Sequence, residues 1–306
     1  MTTDRQPDKQ SVSKGVKPLG PSSQRPPSKW EAVDEAFAEM RQAFGAIPEF
    51  AKYMTDESIP GIWAEVKNLS FNPNTALELK LKNLIGISVA AQIPCEMLGY
   101  FEYTRSVNSG ATPQEQAEAC AMAAMTRHWS TVLNGSQMEK DAFKKEAEQI
   151  MSYVKQMMDK SGGKPPAAEA FMVKFSNAAE TYKDIEKTLG LIPKFFLLFP
   201  EEGIAGAWSE FKAVQLNPHT SLTGKQKELI GIAVAAQIPC DYCITFHRLA
   251  AKLNGATDRE IQEAISIAAL GRHWSALFHG MQLNLATFKK DADMMLKKSD
   301  EKRLTS

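Results

Sequence analysis

Cysteine is scarce in this sequence: four residues in 306, at Cys95, Cys120, Cys240 and Cys243. Four thiols are too few for a disulfide scaffold, and a chain of this length buries a substantial core without one. A charge of one sign is also missing. Basic and acidic residues number 36 each, which argues against a nucleic-acid or membrane-surface protein. No apolar run nears the ~20 residues that a bilayer-spanning helix needs; the longest surrounds Leu229 to Ala236. There is no glycine-rich phosphate loop in a strand–helix setting, so no cofactor is expected and any nicotinamide would act through a separate reductase. Period-two alternation long enough for a strand is lacking too.

What the chain does have is helical text that repeats. Residues 1–29 are polar, with scattered proline and glycine, and are expected to be a disordered tail. That tail lacks the apolar stretch of a secretory signal, so the expected location is cytoplasmic. From Trp30 onward, a shift of 145 aligns two halves without a gap. Asn83 to Cys95 (NLIGISVAAQIPC) matches Glu228 to Cys240 (ELIGIAVAAQIPC) at 11 of 13 positions. Trp63 falls on Trp208, Asn72-Pro73 on Asn217-Pro218, and Arg127-His128-Trp129-Ser130 on Arg272-His273-Trp274-Ser275. The expected organisation is a module over 30–160, a linker over 161–174 containing SGGKPP, and a second module over 175–306.

Apolar residues recur at three and four, and helix starts are marked, so each module reads as about five to seven helices. Thr112 with Glu115 and Thr257 with Glu260 have capping-box spacing, and Thr223 with Gln226 opens a helix in the same way. Asn254-Gly255 fits a helix C-terminus. The methionines, among them Met122, Met125 and Met157, sit at helical spacings and read as core filler.

Duplication supplies an internal control. Residues kept in both halves are explained by shared packing, whereas a reactive set found in one half needs another reason. The second half reads C-D-Y-C-I-T-F-H from Cys240, with Glu228 twelve residues earlier. On a helix starting near Pro239, Cys240, Cys243 and His247 share one face. The matching first-half positions are Cys95, Leu98, Glu102 and Asn83. One thiol without a partner cannot cycle through an internal disulfide, so the first half reads as catalytically dead. In the second, a helix N-terminus favours a thiolate, His247 can carry a proton, and Glu228 can orient it or act as base. Two thiols give a nucleophile and a resolver.

Glu228-x11-Cys240-x2-Cys243-x3-His247, with the surrounding LIGIAVAAQIPC and the later Asn254-Gly255-Ala256, resembles the active-site signature of alkylhydroperoxidase D-like proteins of the carboxymuconolactone decarboxylase superfamily. The resemblance implies an all-α fold of two tandem modules and a peroxidase of small hydroperoxides. It also implies that Cys243 attacks the peroxide, Cys240 resolves it, and Glu228 and His247 relay protons. A dithiol reductant, lipoyl-bearing or thioredoxin-like, would be the partner. Homo-oligomers are implied as well, with three fused chains mimicking a six-module ring. Tyr242 stands between the cysteines where some members have histidine.

Other readings stay open. Two thiolates, an imidazole and a carboxylate are acceptable zinc ligands, although structural sites usually pair ligands across loops. The same fold could run decarboxylase or lactone chemistry, which needs no cysteine pair, or serve as a non-catalytic redox sensor. The Arg-His-Trp triplet, present in both halves, reads as structural. His279, which matches Asn134, reads as surface or packing.

Overall fold

The computed structural model describes residues 30–304, and the polar stretch 1–29 lies outside them. Among the described residues there is no strand; the all-α expectation holds. The first module contributes α1 (Glu31–Phe44), α2 (Ile59–Glu65), α3 (Leu79–Ala90), α4 (Glu96–Asn108), α5 (Pro113–Gly135) and α6 (Lys140–Lys160). The second contributes α7 (Ala178–Leu189), α8 (Lys194–Leu197), α9 (Glu201–Phe211), α10 (Gly224–Gln237), α11 (Asp241–Leu253), α12 (Asp258–Gly280) and α13 (Leu285–Leu304). The offset that relates the sequences also relates helix bounds: α4 falls on α11 and α5 on α12 at both ends. Among the described residues no helix is long and apolar enough to cross a membrane.

Local chemistry explains where these helices start. The Thr112 hydroxyl accepts the Glu115 N–H at 3.1 Å, and the Glu115 carboxylate accepts the Thr112 N–H at 2.8 Å. Thr223 with Gln226 and Thr257 with Glu260 repeat the exchange. Each such cap is worth about 1 kcal/mol. α1 and α7 stop at left-handed glycines, Gly45 and Gly190.

The chain divides by contact into two compact units that cut across the sequence modules. One holds the described residues up to Ile62 together with those from Ala276 onward. In it α1 packs on α13, and Phe278 lies between Phe50 (5.5 Å) and Phe288 (4.7 Å).

The other unit runs from Trp63 to Ser275 and carries the site. At its centre α10 is apolar around its whole circumference from Leu229 to Ala236, and Leu229, Ile230 and Ile232 to Ala235 are fully covered. It packs against α11, α5 and α3, while α11 also packs on α6 and α5. Helices of the first module therefore cover helices of the second. Residues 161–177 join α6 to α7 with one 3-10 turn, Ala168–Ala170.

Buried charges repeat with the offset. Lys82 donates to the carbonyls of Leu69 and Asn72, each at 2.7 Å. Its counterpart Lys227 donates to Val214 at 2.6 Å and Asn217 at 2.7 Å. Each lysine thus satisfies carbonyls around the end of a π-helical turn, Val66–Ser70 or Lys212–Leu216. Burial lowers the pKa of both lysines. Glu118 on α5 accepts the backbone N–H groups of Ser221 (3.0 Å) and Leu222 (2.6 Å). Its counterpart Glu263 accepts the N–H of Ala76 at 2.8 Å and pairs with Lys82 at 3.0 Å. These reciprocal clamps tie each module to the other, and a buried carboxylate is tolerated because its oxygens are satisfied.

Candidate active site

Cys240 is the N-cap of α11, and its sulfur accepts the Cys243 N–H at 3.3 Å. Cys243 and His247 follow on the first two turns, Cys243 beside α5 and His247 against α10. There Glu228 Oε2 lies 2.7 Å from His247 Nδ1. All four residues are buried: Cys240 is 0% exposed and Cys243, Glu228 and His247 are 4% each. The structure thus brings the four expected residues together. Gly231 makes this approach possible, because a Cβ there would stand 2.4 Å from the His247 ring. Among the described residues no three of His, Cys, Asp and Glu converge as a metal site.

Other residues of the site were missed by the sequence reading. Gln215, from the π-helical turn before α10, donates to Glu228 Oε1 at 2.9 Å. Thr126, on α5 of the first module, has its hydroxyl 3.3 Å from His247 Nε2 and donates that hydroxyl to Met122 O at 2.8 Å. With its hydrogen spent on Met122, the Thr126 oxygen accepts from Nε2, so Nε2 carries a hydrogen. The Cys243 sulfur lies 3.9 Å from Thr126 O. One turn and two turns beyond Thr126 stand Ser130 and Asn134. Asn134 Nδ2 donates to Cys240 at 3.4 Å and to Ser130 O at 2.8 Å. A polar stripe on α5 at positions i, i+4 and i+8 therefore faces α11. Its counterparts in the second module are Gly271, Ser275 and His279; the copies differ at the first and third positions, which was the available signal, and agree at Ser130, which carried none.

The two thiols are in unlike surroundings. Cys240 is drawn down to about 6, chiefly by a hydrogen bond from the Cys243 thiol, with Ser130, the Cys243 N–H and Asn134 adding to it against the effect of burial. Cys243 is pushed strongly upward, because its proton is held against Cys240 and because it is buried. Tyr242, between them, points away, and its hydroxyl bonds the Met138 carbonyl.

Beside Cys243 and His247 lies a cavity of about 30 Å³, room for about two waters. Its walls are mainly aromatic: Trp129, Phe143, Phe195, Phe211 and Phe246. Thr126 and Gln215 add polar edges, and neither lysine nor arginine lines it. Trp129 belongs to the repeated Arg-His-Trp, read above as structural. It packs edge-on against Phe195 (5.3 Å) and Phe196 (5.0 Å), and it also forms the cavity wall. Met125 lines the same cavity, whereas Met157 is 45% exposed and fills no core, which corrects that expectation.

The equivalent place in the first module is differently filled. Glu102 stands where His247 does, and Arg105 pairs with both its oxygens at 3.1 Å. Arg105 also donates to Ser70 O at 3.1 Å and lies over the Phe71 ring at 4.8 Å. Burial raises the Glu102 pKa against the pull of Arg105. Asn83 donates to Arg105 O at 3.1 Å. These contacts are structural, and Cys95 has no second thiol beside it at the position held by Leu98.

Residues 203–283 match the model of the carboxymuconolactone decarboxylase family. That stretch contains Glu228, Cys240, Cys243 and His247, and in it the chain is similar to that family. A curated relative, "Uncharacterized protein 4 in cox locus" of Paracoccus denitrificans, is 41% identical over 59 residues, 19% of this chain. That match spans 53% of the relative's length, about half of it. In fold, the chain is similar to the crystal structure of a provisionally assigned gamma-carboxymuconolactone decarboxylase subunit from Burkholderia xenovorans LB400. The TM-score is 0.52 at 16% identity, covering 89% of this chain and 98% of that one. At that identity the likeness speaks for the superfamily's all-α fold alone.

Proposed function

We propose that the second module's dithiol reduces a small, uncharged hydroperoxide. The observation that carries this reading is Cys243 at the wall of an apolar cavity, with a second thiol and a Glu–His proton pair beside it. Cys243 sulfur attacks the distal peroxide oxygen and the O–O bond breaks. The alkoxide leaves as alcohol with the proton from the Glu228–His247 pair. Cys240 then attacks the Cys243 sulfenic acid, water leaves, and a disulfide remains. A dithiol partner reopens it and returns the proton, so that two thiols and ROOH give one disulfide, ROH and H₂O.

The family's name favours a second reading, decarboxylation of a carboxylated lactone. The cavity speaks against it. An anionic substrate would be desolvated among aromatic rings with no lysine or arginine on the wall, and an unpaired buried carboxylate is costly. Two thiols would also stand idle. The test is one equivalent of hydroperoxide added to reduced protein, with cysteine mapping by mass spectrometry. A Cys240–Cys243 disulfide with Cys95 and Cys120 free supports the peroxidase, and Cys243→Ser should reduce turnover to background. Unchanged turnover in Cys243→Ser, or lactone decarboxylation that survives blocked thiols, would overturn it.

A further inference from the structure

We propose that the resting negative charge of the dithiol sits on Cys240, away from the cavity, and that Ser130 and Asn134 of the first module act as positioning residues that hold it there. The inference rests on the dithiol reading above and assigns its parts. Cys240 sulfur accepts from the Cys243 N–H at 3.3 Å and from Asn134 Nδ2 at 3.4 Å, and the Ser130 hydroxyl reaches both sulfurs. The Cys243 sulfur instead gives its proton to Cys240, and 3.9 Å from it lies Thr126 O, a carbonyl that can only accept. A thiol that must donate keeps its proton, and a sulfur that receives donors at a helix N-terminus gives its proton up.

The charged groups around this cap do not compete. Asp241 of α11 and Lys140 of α6 neutralise each other in an exposed pair. Glu139 is engaged by the N–H groups of Asp141 and Ala142 at the start of α6. Glu228 of α10 and His247 face one another, and the Tyr242 hydroxyl is taken up by Met138 O.

The consequence is a division of labour between two adjacent sulfurs. Cys243, which lines the cavity, waits as a thiol and passes its proton to the Cys240 thiolate as its sulfur attacks the peroxide oxygen. Cys240, now a thiol, gives that same proton to the hydroxide that leaves when the disulfide closes. Charge rests where substrate is absent, and the nucleophile is uncovered only during attack. The first module, which has lost its own thiol pair, thereby tunes the site of the second.

The test is a pH titration of ultraviolet thiolate absorbance in the reduced full chain, which requires no turnover. Wild type and Cys243→Ser should each show one thiolate step near pH 6, and Cys240→Ser should lack it. Asn134→Asp, close in shape but with a donor replaced by a carboxylate, should move the step upward by about one unit or more. Ser130→Ala should move it in the same direction, providing an independent variant should Asn134→Asp fail to fold. A step that survives in Cys240→Ser and vanishes in Cys243→Ser would overturn the assignment. So would a step left in place by both α5 substitutions. A protein that shows the step but reduces no peroxide would sink the peroxidase reading and leave this one standing.

Discussion

The two sequence repeats pair equivalent helices, α3 with α4 and α10 with α11, and differ in the side chains held between them. Both have a glycine that admits a side chain close to the central helix: a Cβ at Gly86 would meet Glu102 at 2.3 Å, as one at Gly231 would meet His247. Both bury a lysine against π-turn carbonyls, and both send a glutamate across to the other module. They part at the chemistry. The second holds Glu228, Cys240, Cys243 and His247, while the first holds Asn83, Cys95, Leu98 and Glu102, with Arg105 where the second has Ala250. The buried Glu228–His247 pair of one copy is replaced by a Glu102–Arg105 ion pair in the other. The lesson is that the first module, without a thiol pair of its own, still contributes to its neighbour. Its α5 supplies Thr126, Trp129, Ser130 and Asn134 to the neighbouring one.

That contrast can be broken from either side. Glu228→Gln removes the carboxylate beside His247, and peroxide reduction should fall by about a hundredfold or more, the usual scale of acid–base catalysis. Steady-state rates check this, and an activity within a few-fold of wild type would mean that the pair carries no proton. In the first module, Arg105→Met strips Glu102 of its partner in a buried site. Chemical unfolding should reveal a loss of about 3–5 kcal/mol, with disulfide formation in the second module unaltered. A smaller effect is tied to pH. The folded pKa of Cys240, about 6, lies below its ordinary value near 9, so the stabilisation is complete above pH 9 and is lost as pH falls through 6. The unfolding free energy of reduced wild type should therefore rise more between pH 6 and 9 than that of Cys240→Ser. Smallest of all should be Gly271→Ala, at the counterpart of Thr126. A Cβ there meets Val89 at 3.3 Å, and a slight stability change with no change in thiol reactivity is expected.

Much of this was legible in the sequence, for physical reasons that also mark the limit. Capping boxes, glycine stops and apolar spacing are local, so the helices and their starts could be read directly. Cys240, Cys243 and His247 share a helix, and Glu228 is on the preceding one, so their convergence follows from short-range geometry. Thr126 and Gln215 could not be read this way, because they arrive through long-range packing. Trp129 was read as structural because both copies keep it; a residue can serve packing and still wall a cavity. Met157 misled because helical spacing gives a face but not what covers it. Asn134 did carry a signal, since its counterpart is His279, yet a difference between copies shows that a position matters without showing to what.

The most direct test is the rate at which one equivalent of hydroperoxide closes the Cys240–Cys243 disulfide in wild type, Thr126→Val and Gly271→Ala, followed by quenched-flow mass spectrometry. Valine keeps the shape of threonine but removes the oxygen that accepts from His247 Nε2. The account predicts closure slowed about ten- to a hundredfold in Thr126→Val and unchanged in Gly271→Ala. Closure at the wild-type rate in Thr126→Val would mean that the His247–Thr126 contact plays no part, and would contradict a Glu228–His247 pair completed by the first module.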